Sequence, residues 1–450
     1  MKKTLLCSLL LLIFACTVED EQKPLPPEAA AESSPDTSMQ TKADSTSATD
    51  DYQYQVAQMT IETEYGHGVW SKEKEDYQNC TVSLTSNNPD WCYEGTGRIR
   101  GRGNSTWYWY EKKPYRLKLD KKHEMLGLAA NKDWVLLANY RDPTDMMNTL
   151  VFIMGQGQEL PYTNHTRYVE VTLDGDYVGL YQLTEQIETG KSRVDIDEKE
   201  GYLIALDKDD GPELSPGAGD NFWSTVYRLP ICVKSPDDVT TERKNAIRAD
   251  LAKLERAIQT ADLTAVEELM DVDVFIEYML IQELVYNVEV DAPRSVYMHK
   301  DVGGRWVMGP LWDFDAGYDF DWSTMYTGHN FFSSYRELVL GTDPARHIGG
   351  YYVNSFFTDL WHSPQFVARL VGHWRVLRER VMADYWPETL RYYNGAFDAL
   401  KRDYERWPID KRYALEISRM ERWLRHRVDY FDQVINAYPG AATGIKGVKM

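Results

Sequence analysis

The sequence predicts an α+β protein with a β-rich N-terminal half and a helical C-terminal half. Stretches such as QMTIETEY, NCTVSLTS and PYRLKLD alternate apolar and polar residues, which is typical of strands with one buried face. From residue 241 onward the apolar residues recur at helical spacing instead, as in Ile247, Leu251, Leu254 and Ile258. No internal repeat interrupts this order.

The first half contains a helix between strands. DWVLLAN is a short apolar run of the buried-strand type, and DPTDMMNTLVFIMGQG then predicts a helix with Asp142 as N-cap and Pro143 at the first position. RYVEVTLDGDYVGLYQLTEQI predicts a hairpin, because its Asp174-Gly175 dipeptide tolerates the positive φ of a tight turn. GYLIALD predicts one more strand.

The second half is predicted to be helical apart from one hairpin. VFIEYMLIQELVYNV is apolar on almost every face, so this helix must be buried. SVYMHKD and RWVMGPLWDFD predict two strands joined at Gly303-Gly304, the second of which leads into an acidic cluster. Helices are then predicted from about residue 364 to 436.

The N-terminus predicts export and a lipid anchor. Residues 1–15 join two lysines to an apolar run too short to span a bilayer, as in a signal peptide. The run ends in IFAC, which resembles a bacterial lipobox and implies lipidation of Cys16; the alternative is a secretory signal with an incidental cysteine. We therefore expect anchoring to the cell envelope at the outer membrane.

The residues behind Cys16 are predicted to be a tether. Residues 16–52 are acidic, rich in Pro, Ser and Thr, and too poor in apolar residues to fold. Their TVEDE resembles a surface-export signal of bacterial lipoproteins, which would place the protein on the cell surface.

Composition and cysteine spacing exclude several classes of protein. A net charge of −20 argues against a nucleic-acid partner, since phosphate would be repelled over most of the surface. No CxxC pair or Cys/His zinc spacing occurs, nor do GxSxG, HExxH or GxxxxGK motifs. Cys80 and Cys92 either form a disulfide across a hairpin or stay reduced, and Cys232 is expected to be a buried thiol.

Six motifs in order resemble the CotH-like family of spore-coat-H-type atypical kinases. They are RGRGNSTW, KKPYRLKL, NKDWVLLANYRDP, VEVTLDGDYVGLYQLTEQI, GYLIALD and SVYMHKDVGGRWVMGPLWDFDAG, and together they cover roughly residues 97–320. The resemblance implies a divergent protein-kinase-like two-lobe fold that binds ATP with Mg²⁺ and phosphorylates protein Ser or Thr. We assign residues 53–363 to this domain, 364–437 to a helical region and 438–450 to a flexible tail.

The resemblance also implies a metal site in the acidic stretch. Asp313 would bind Mg²⁺ with Asp315 nearby, and Ser295 stands where the family has a metal-binding asparagine. Asp319 and Asp321 lie beyond the matching motif and are expected to be loop residues. Without the resemblance, an Asp-x-Asp turn is more typical of a solvated loop.

Three residues are candidates for nucleotide binding. Lys118 lies on the strand face opposite the leucines, where a phosphate-pairing lysine can sit, although a lone strand lysine is more often a surface residue. Arg102 adds charge within GRGNS, a stretch that also suits a purely structural turn. Glu185 ends a hairpin strand, where the resemblance implies a connector near the nucleotide base and the simpler role is polar capping.

Departures from the family pattern put catalysis in question. Members with an active site carry an Asn-x-Asp stretch after the buried helix, whereas this chain has Asn287-Val288-Glu289 followed by Asp291, so either acid is the candidate base. Met147 stands where the family often has arginine. The alternative function is therefore a catalytically inactive, pseudokinase-like envelope protein that contacts proteins or glycans.

Overall fold

The chain folds around a closed β-barrel and a second, five-stranded sheet. The structure is a computed structural model that describes residues 51–209, 219–290, 293–318, 334–336, 339, 355–408 and 413–437. The barrel contains seven strands: β1 (Ala57–Thr63), β2 (Gln78–Thr85), β3 (Tyr93–Gly101), β4 (Tyr115–Met125), β5 (Leu128–Leu137), β6 (Arg167–Leu173) and β7 (Asp176–Glu185).

The barrel closes through a pairing between strands far apart in the chain. Its order is β1-β2-β3-β4-β5-β7-β6, and β1 completes the ring by pairing parallel to β6. Closure leaves no unpaired strand edge in this sheet. Residues along β1 are alternately buried and exposed, as the sequence predicts. The fully buried side chains inside include Ile61, Ile99, Leu117, Trp134 and Leu183.

The predicted hairpin of β6 and β7 is confirmed. Leu173 pairs with Asp176, and Asp174 and Gly175 between them have φ values of 50° and 80°. Positive φ at both central residues is the requirement of a type I′ turn, which matches the twist of the flanking strands.

The second sheet carries the hairpin that ends in the acidic cluster. Its strands are β8 (Tyr202–Leu206), β9 (Asn221–Trp223), β10 (Pro230–Ser235), β11 (Val296–Lys300) and β12 (Trp306–Met308), in the order β12-β11-β8-β10-β9. β11 and β12 pair antiparallel as predicted, with Met298 opposite Met308. β9 and β10 were not predicted from the sequence.

The helices are concentrated in the second half of the chain. They are α1 (Ser105–Tyr108), α2 (Met147–Gly157), α3 (Thr241–Gln259), α4 (Leu263–Leu269), α5 (Val272–Leu284), α6 (Pro364–Arg380), α7 (Trp386–Arg406) and α8 (Tyr413–Ile435). The prediction of a buried helix is confirmed, because ten of the thirteen residues of α5 are buried and the helix contacts α2, α6, α8 and β12. The α+β class is therefore confirmed, while a kinase-like two-lobe arrangement stays an expectation.

The C-terminal helices share one hydrophobic core with α2 and α5. α7 also packs on the outside of the barrel, where the buried Lys112 Nζ lies 2.7 Å from Asp403 Oδ1. The same carboxylate oxygen accepts a 2.8 Å hydrogen bond from the Leu180 backbone of β7. These contacts attach the C-terminal helices to the barrel through buried charge as well as apolar surface.

Two predicted boundaries are wrong for local reasons. α2 begins at Met147 and not at Pro143, because Asp142 Oδ2 accepts a 2.8 Å bond from the Met147 N–H while Oδ1 binds Thr144 in a preceding turn. β12 ends at Met308, before the predicted WDFD, because Gly309 has φ 109° and Pro310 lacks an N–H to donate to a sheet.

The structure has Cys80 and Cys92 as separate thiols and not as a disulfide. Cys80 points into the barrel, whereas Cys92 is exposed and its sulfur lies 3.5 Å from the Ser86 N–H. Cys232 is buried on β10, as expected.

No helix in the described ranges is both long enough and apolar enough to span a membrane.

Candidate active site

A cleft of about 590 Å³ lies between the barrel and the second sheet. One side consists of β3, β4, their connecting loop and the segment that follows β5. The other side consists of residues after β8, on β10 and β11, and after β12. Five residues predicted from the sequence line this cleft: Arg102, Glu289, Ser295, Asp313 and Asp315.

The segment after β12 buries its apolar side chains in the core and turns Asp313 and Asp315 toward the cleft. Leu311 and Phe314 are fully buried in the main core, and the Phe314 N–H donates a 2.9 Å hydrogen bond to Asn148 Oδ1 of α2. Asp313 has φ 68°, a left-handed conformation that costs free energy in a residue other than glycine. The flanking contacts therefore hold Asp313 in a strained backbone position at the cleft wall.

Ser295, the residue that precedes β11, contacts Asp313. Its hydroxyl donates a 3.1 Å hydrogen bond to Asp313 Oδ2, and its N–H donates a 3.4 Å bond to Asp207 Oδ2. Ser295 also has a left-handed φ of 53°. Two strained residues linked by a hydrogen bond thus lie side by side, a feature that clusters at functional sites.

The three cleft carboxylates repel one another. Burial and the charge of Asp315 raise the pKa of Asp313 to about 6, even though Arg102, Arg141 and the Ser295 hydroxyl act in the opposite direction. Burial and the charge of Asp313 raise the pKa of Glu289 well above its usual range. A cation entering the cleft would relieve this repulsion.

Arginines surround the carboxylates. The Arg102 guanidinium lies 5.3 Å from the centre of the Trp312 ring, and its burial lowers its pKa. Arg141 Nη2 lies 3.4 Å from Asp315 Oδ1, and Arg294 Nε lies 2.7 Å from Asp209 Oδ2. The cleft therefore presents both a cation-binding and an anion-binding set of side chains.

Two predicted nucleotide-binding residues lie elsewhere among the described residues. Lys118 Nζ lies 3.2 Å from Asp133 Oδ2 on the barrel exterior and does not line the cleft. Glu185 is buried and accepts a 2.8 Å hydrogen bond from the His165 N–H, so its carboxylate is turned toward His165. Asp291, Asp319 and Asp321 lie outside the described residues.

The sequence reasoning missed several residues of the cleft. Arg141 and Asp207 belong to the motifs NYRDP and GYLIALD, so their motifs were noticed but not their side chains. Asn148, Lys234 and Arg294 carry no recognisable signal in the sequence. Each reaches the cleft only because separate elements pack together there.

The residues of the cleft fit magnesium held together with a nucleotide. No group of three or more His, Cys, Asp or Glu residues in the described ranges is arranged to hold a metal ion on its own. Magnesium, however, is usually held by one or two carboxylates together with substrate phosphates and water. Asp313 and Asp315, with repelling charges and a strained backbone, supply that donor set, and the neighbouring arginines suit phosphate.

These features define an α+β protein with a cleft between a barrel and a sheet, lined by both carboxylates and arginines. The model of the CotH kinase protein family matches residues 99–431, well over half of the chain, so the protein belongs to this family. The match extends through α6 and α7 into α8, beyond the motifs recognised in the sequence. No curated protein matches the chain.

Proposed function

We propose that this protein is an exported, lipid-anchored phosphotransferase that transfers phosphate from ATP with Mg²⁺ to protein Ser or Thr. One observation carries the proposal. The carboxylates Glu289, Asp313 and Asp315 repel one another in a cleft that arginines also line. A magnesium nucleotide complex complements both sets, since it brings a cation and phosphates together.

Magnesium would be held by Asp313 and Asp315, with Ser295 keeping Asp313 oriented through its 3.1 Å hydrogen bond. When bound, the ion would neutralise phosphate charge. Arg102 and Arg294 line the same cleft and would bind phosphate oxygens, because guanidinium groups match phosphate geometry. Family membership supports these roles, and the proposed magnesium-binding and phosphate-binding residues line the same cleft.

Glu289 would accept the proton of the acceptor hydroxyl as that oxygen bonds to phosphorus and ADP leaves. A general base works best when its pKa lies near the working pH, and burial beside Asp313 raises the pKa of Glu289 in that direction. Asp291, two residues further on, is the second candidate for this base.

The same raised pKa favours a second candidate function. If Glu289 stays protonated with nucleotide bound, it cannot accept a proton, and the protein would bind nucleotide without transferring phosphate. The chain would then act as a pseudokinase-like envelope protein that contacts other proteins or glycans. Because ATP is scarce outside the cytoplasm, an exported location agrees with this alternative.

The proposed location rests on residues 1–52. A signal peptide ending at residue 15, a lipidated Cys16 and an acidic tether would attach the domain to the outer membrane. Metabolic labelling with a fatty-acid probe tests this step, and Cys16→Ser must abolish the label if Cys16 carries the lipid. Label retained by Cys16→Ser would contradict the anchor.

Calorimetry of the purified protein with ATP tests the proposed function, with Mg²⁺ present or replaced by EDTA. We expect binding that depends on magnesium and is lost in Asp313→Ala, whereas Asp250→Ala, a charge change on α3 at a residue that does not line the cleft, retains it. Phosphate transfer by the wild-type protein that is lost in Glu289→Ala would favour the enzyme, and binding without transfer the pseudokinase-like protein. No binding by the wild-type protein would overturn both.

A further inference from the structure

Four cations form a strip on the outer face of the barrel, which we call the cation strip: Arg98 and Arg100 of β3, and Arg116 and Lys118 of β4. Arg98 lies directly opposite Lys118, and Arg100 directly opposite Arg116. Like charges at opposed positions destabilise a sheet. Two consecutive pairs of this kind, in a chain of net charge −20, point to an anionic ligand.

Neighbouring carboxylates neutralise the cation strip only in part. Asp133 of β5 accepts from both Arg116, at 2.7 Å, and Lys118, at 3.2 Å, so one carboxylate serves two cations. Glu188 is a further carboxylate near Arg116 and Lys118, and burial and the charge of Asp133 raise its pKa to about 7. Arg193 adds a further cation, with its Nε 3.9 Å from Glu188 Oε1.

An aromatic ring holds part of the cation strip in place. The guanidinium groups of Arg98 and Arg100 lie 5.4 Å and 5.1 Å from the centre of the Tyr77 ring. Arg100 also donates hydrogen bonds to the backbone oxygens of Lys72 and Gly101, at 2.6 Å and 2.8 Å. The two arginines are therefore positioned before any ligand binds, which lowers the entropy cost of binding.

The cation strip leads from the cleft to the surface. Arg100 and Arg116 line the cleft, whereas Arg98 and Lys118 form the next pair outward, about 7 Å further along the strands. Arg98 is exposed, and the Lys118 side chain is 37% exposed. A chain that enters the cleft can therefore continue across the strip in an extended conformation.

We propose that the cation strip binds acidic residues of the acceptor polypeptide, within about two to four positions of the phosphorylated Ser or Thr. This inference rests on the proposed function of the cleft. A short acidic segment suits the strip, since the negative charge of the remaining surface repels a longer polyanion such as nucleic acid. The strip thus selects the acceptor by charge, along a path that begins at the edge of the cleft and continues outward to Arg98 and Lys118.

The test uses three fluorescent peptides of equal length, each with one serine flanked by Glu, by Gln or by Lys. Their binding is measured by fluorescence anisotropy without nucleotide, at low and at high salt. We expect the Glu peptide to bind best and to lose affinity as salt rises. Charge reversal in Arg98→Glu with Lys118→Glu must weaken Glu-peptide binding about tenfold and favour the Lys peptide.

A matched control reverses the charge of an exposed lysine and an exposed arginine elsewhere. Lys401→Glu with Arg425→Glu changes side chains that are 55% and 54% exposed on α7 and α8, and must leave the peptide preference unchanged. Arg98→Gln with Lys118→Gln removes the charge without reversing it and must weaken Glu-peptide binding to a smaller extent. Thermal unfolding confirms that all the variants fold.

The outcomes separate this inference from the proposed function. Equal binding of the three peptides, or an equal loss of binding in the control variant, overturns the acidic acceptor whatever the cleft does. Selective binding of the Glu peptide without phosphate transfer retains the strip as a docking surface and rejects the phosphotransferase. Transfer that prefers the Gln or Lys peptide retains the phosphotransferase and overturns the role of the strip.

Discussion

Two carboxylate clusters in this protein have opposite electrostatic surroundings. The cleft triad consists of Glu289, Asp313 and Asp315, whose mutual repulsion and burial raise the pKa values of Glu289 and Asp313. The interhelix cluster consists of Glu267 of α4 and Asp273 and Glu277 of α5, which face Arg369 and His373 of α6. Both clusters contain three carboxylates, yet the pKa is lowered at Asp273 in the interhelix cluster and raised at Glu289 and Asp313 in the cleft triad.

In the interhelix cluster each carboxylate contacts a basic side chain, either Arg369 or His373. Arg369 Nε and His373 Nε2 lie 2.5 Å and 2.8 Å from Asp273 Oδ1, and Arg369 also bonds to Glu267. The hydrogen bond from His373, together with Arg369, lowers the pKa of Asp273. Burial lowers the pKa of His373, but its bonds to Asp273 and Glu277 outweigh this and raise it to about 9.

The difference teaches how to separate a structural acidic cluster from a functional one. A cluster that stabilises the fold is matched by cations and keeps its carboxylates ionised. A cluster left with repelling charges reduces stability, so it persists where a ligand supplies the missing charge. The predictions below test whether the two clusters differ in this way.

The largest expected effect is on phosphate transfer. Glu289→Gln removes the proposed base and should lower the single-turnover rate by about a hundredfold or more, while nucleotide affinity changes little. Glu277→Gln, the same change in the interhelix cluster, should leave the rate unchanged. An unaltered rate in Glu289→Gln would place the proton acceptor at another residue.

The next effect concerns nucleotide affinity. Asp313→Ala removes a proposed magnesium ligand and should weaken ATP binding on the order of a hundredfold in the presence of Mg²⁺. Asp273→Ala removes a carboxylate of the same size and should leave the affinity unchanged. Calorimetry distinguishes these outcomes, and equal affinities in the two variants would refute a special role for the cleft triad.

The clusters should also respond to pH in different windows. The pKa of Asp313 is raised from 3.8 to about 6, so the stability that depends on it is present below pH 3.8 and is lost as pH rises to about 6. Asp313→Asn cannot ionise and so avoids this loss. Relative to wild type, its free energy of unfolding should be higher at pH 7 than at pH 4 by on the order of 2 kcal/mol. Asparagine also tolerates the left-handed φ at this position.

The pKa of His373 is raised from 6.5 to about 9, so its contribution is complete below pH 6.5 and is lost as pH rises through about 9. His373→Gln should therefore destabilise the protein by on the order of 2 kcal/mol at pH 6 and much less at pH 10. Urea unfolding across this range measures both variants. If the free energies of unfolding of Asp313→Asn and His373→Gln changed with pH in the same way, the two clusters would not differ as proposed.

The smallest effect concerns the link between Ser295 and Asp313. Ser295→Ala removes the 3.1 Å hydrogen bond to Asp313 and should weaken magnesium-dependent ATP binding about fivefold, or about 1 kcal/mol. Ser295→Asn keeps a polar side chain, accepts the φ of 53°, and should bind at least as tightly as wild type. Weaker binding by the asparagine variant than by the alanine variant would argue against Ser295 as part of the metal site.

Much of the fold follows from local patterns. Alternation identified β1, β2 and β4, and the all-round apolar pattern identified α5, because burial dictates which positions are apolar. The boundaries of α2 and β12 were wrong where one hydrogen bond or one backbone conformation decides the end of an element. β9 has three residues, and a strand this short leaves little periodicity to read.

The candidate site was predicted only in part. Motif order singled out Arg102, Glu289, Ser295, Asp313 and Asp315, and all five line the cleft. The partners of these residues could not be predicted from local sequence, since Arg141 and Asp315, for example, are separated by 174 positions. Lys118 is on the predicted strand and its strand face points outward, but nothing local reveals that Asp133 binds it there.

The sequence by itself determined the α+β class, the order of a β-rich half before a helical half, the type I′ turn and the acidic spacing of Asp313 and Asp315. These depend on periodicity and on the conformational preferences of single residues, which are local properties. Only the tertiary structure decided that β1 closes the barrel against β6 and that Glu289 meets Asp313 in one cleft. It also decided which carboxylates have their pKa lowered by basic partners and which have it raised by burial and by one another, because these effects depend on distances between residues that are remote in the chain.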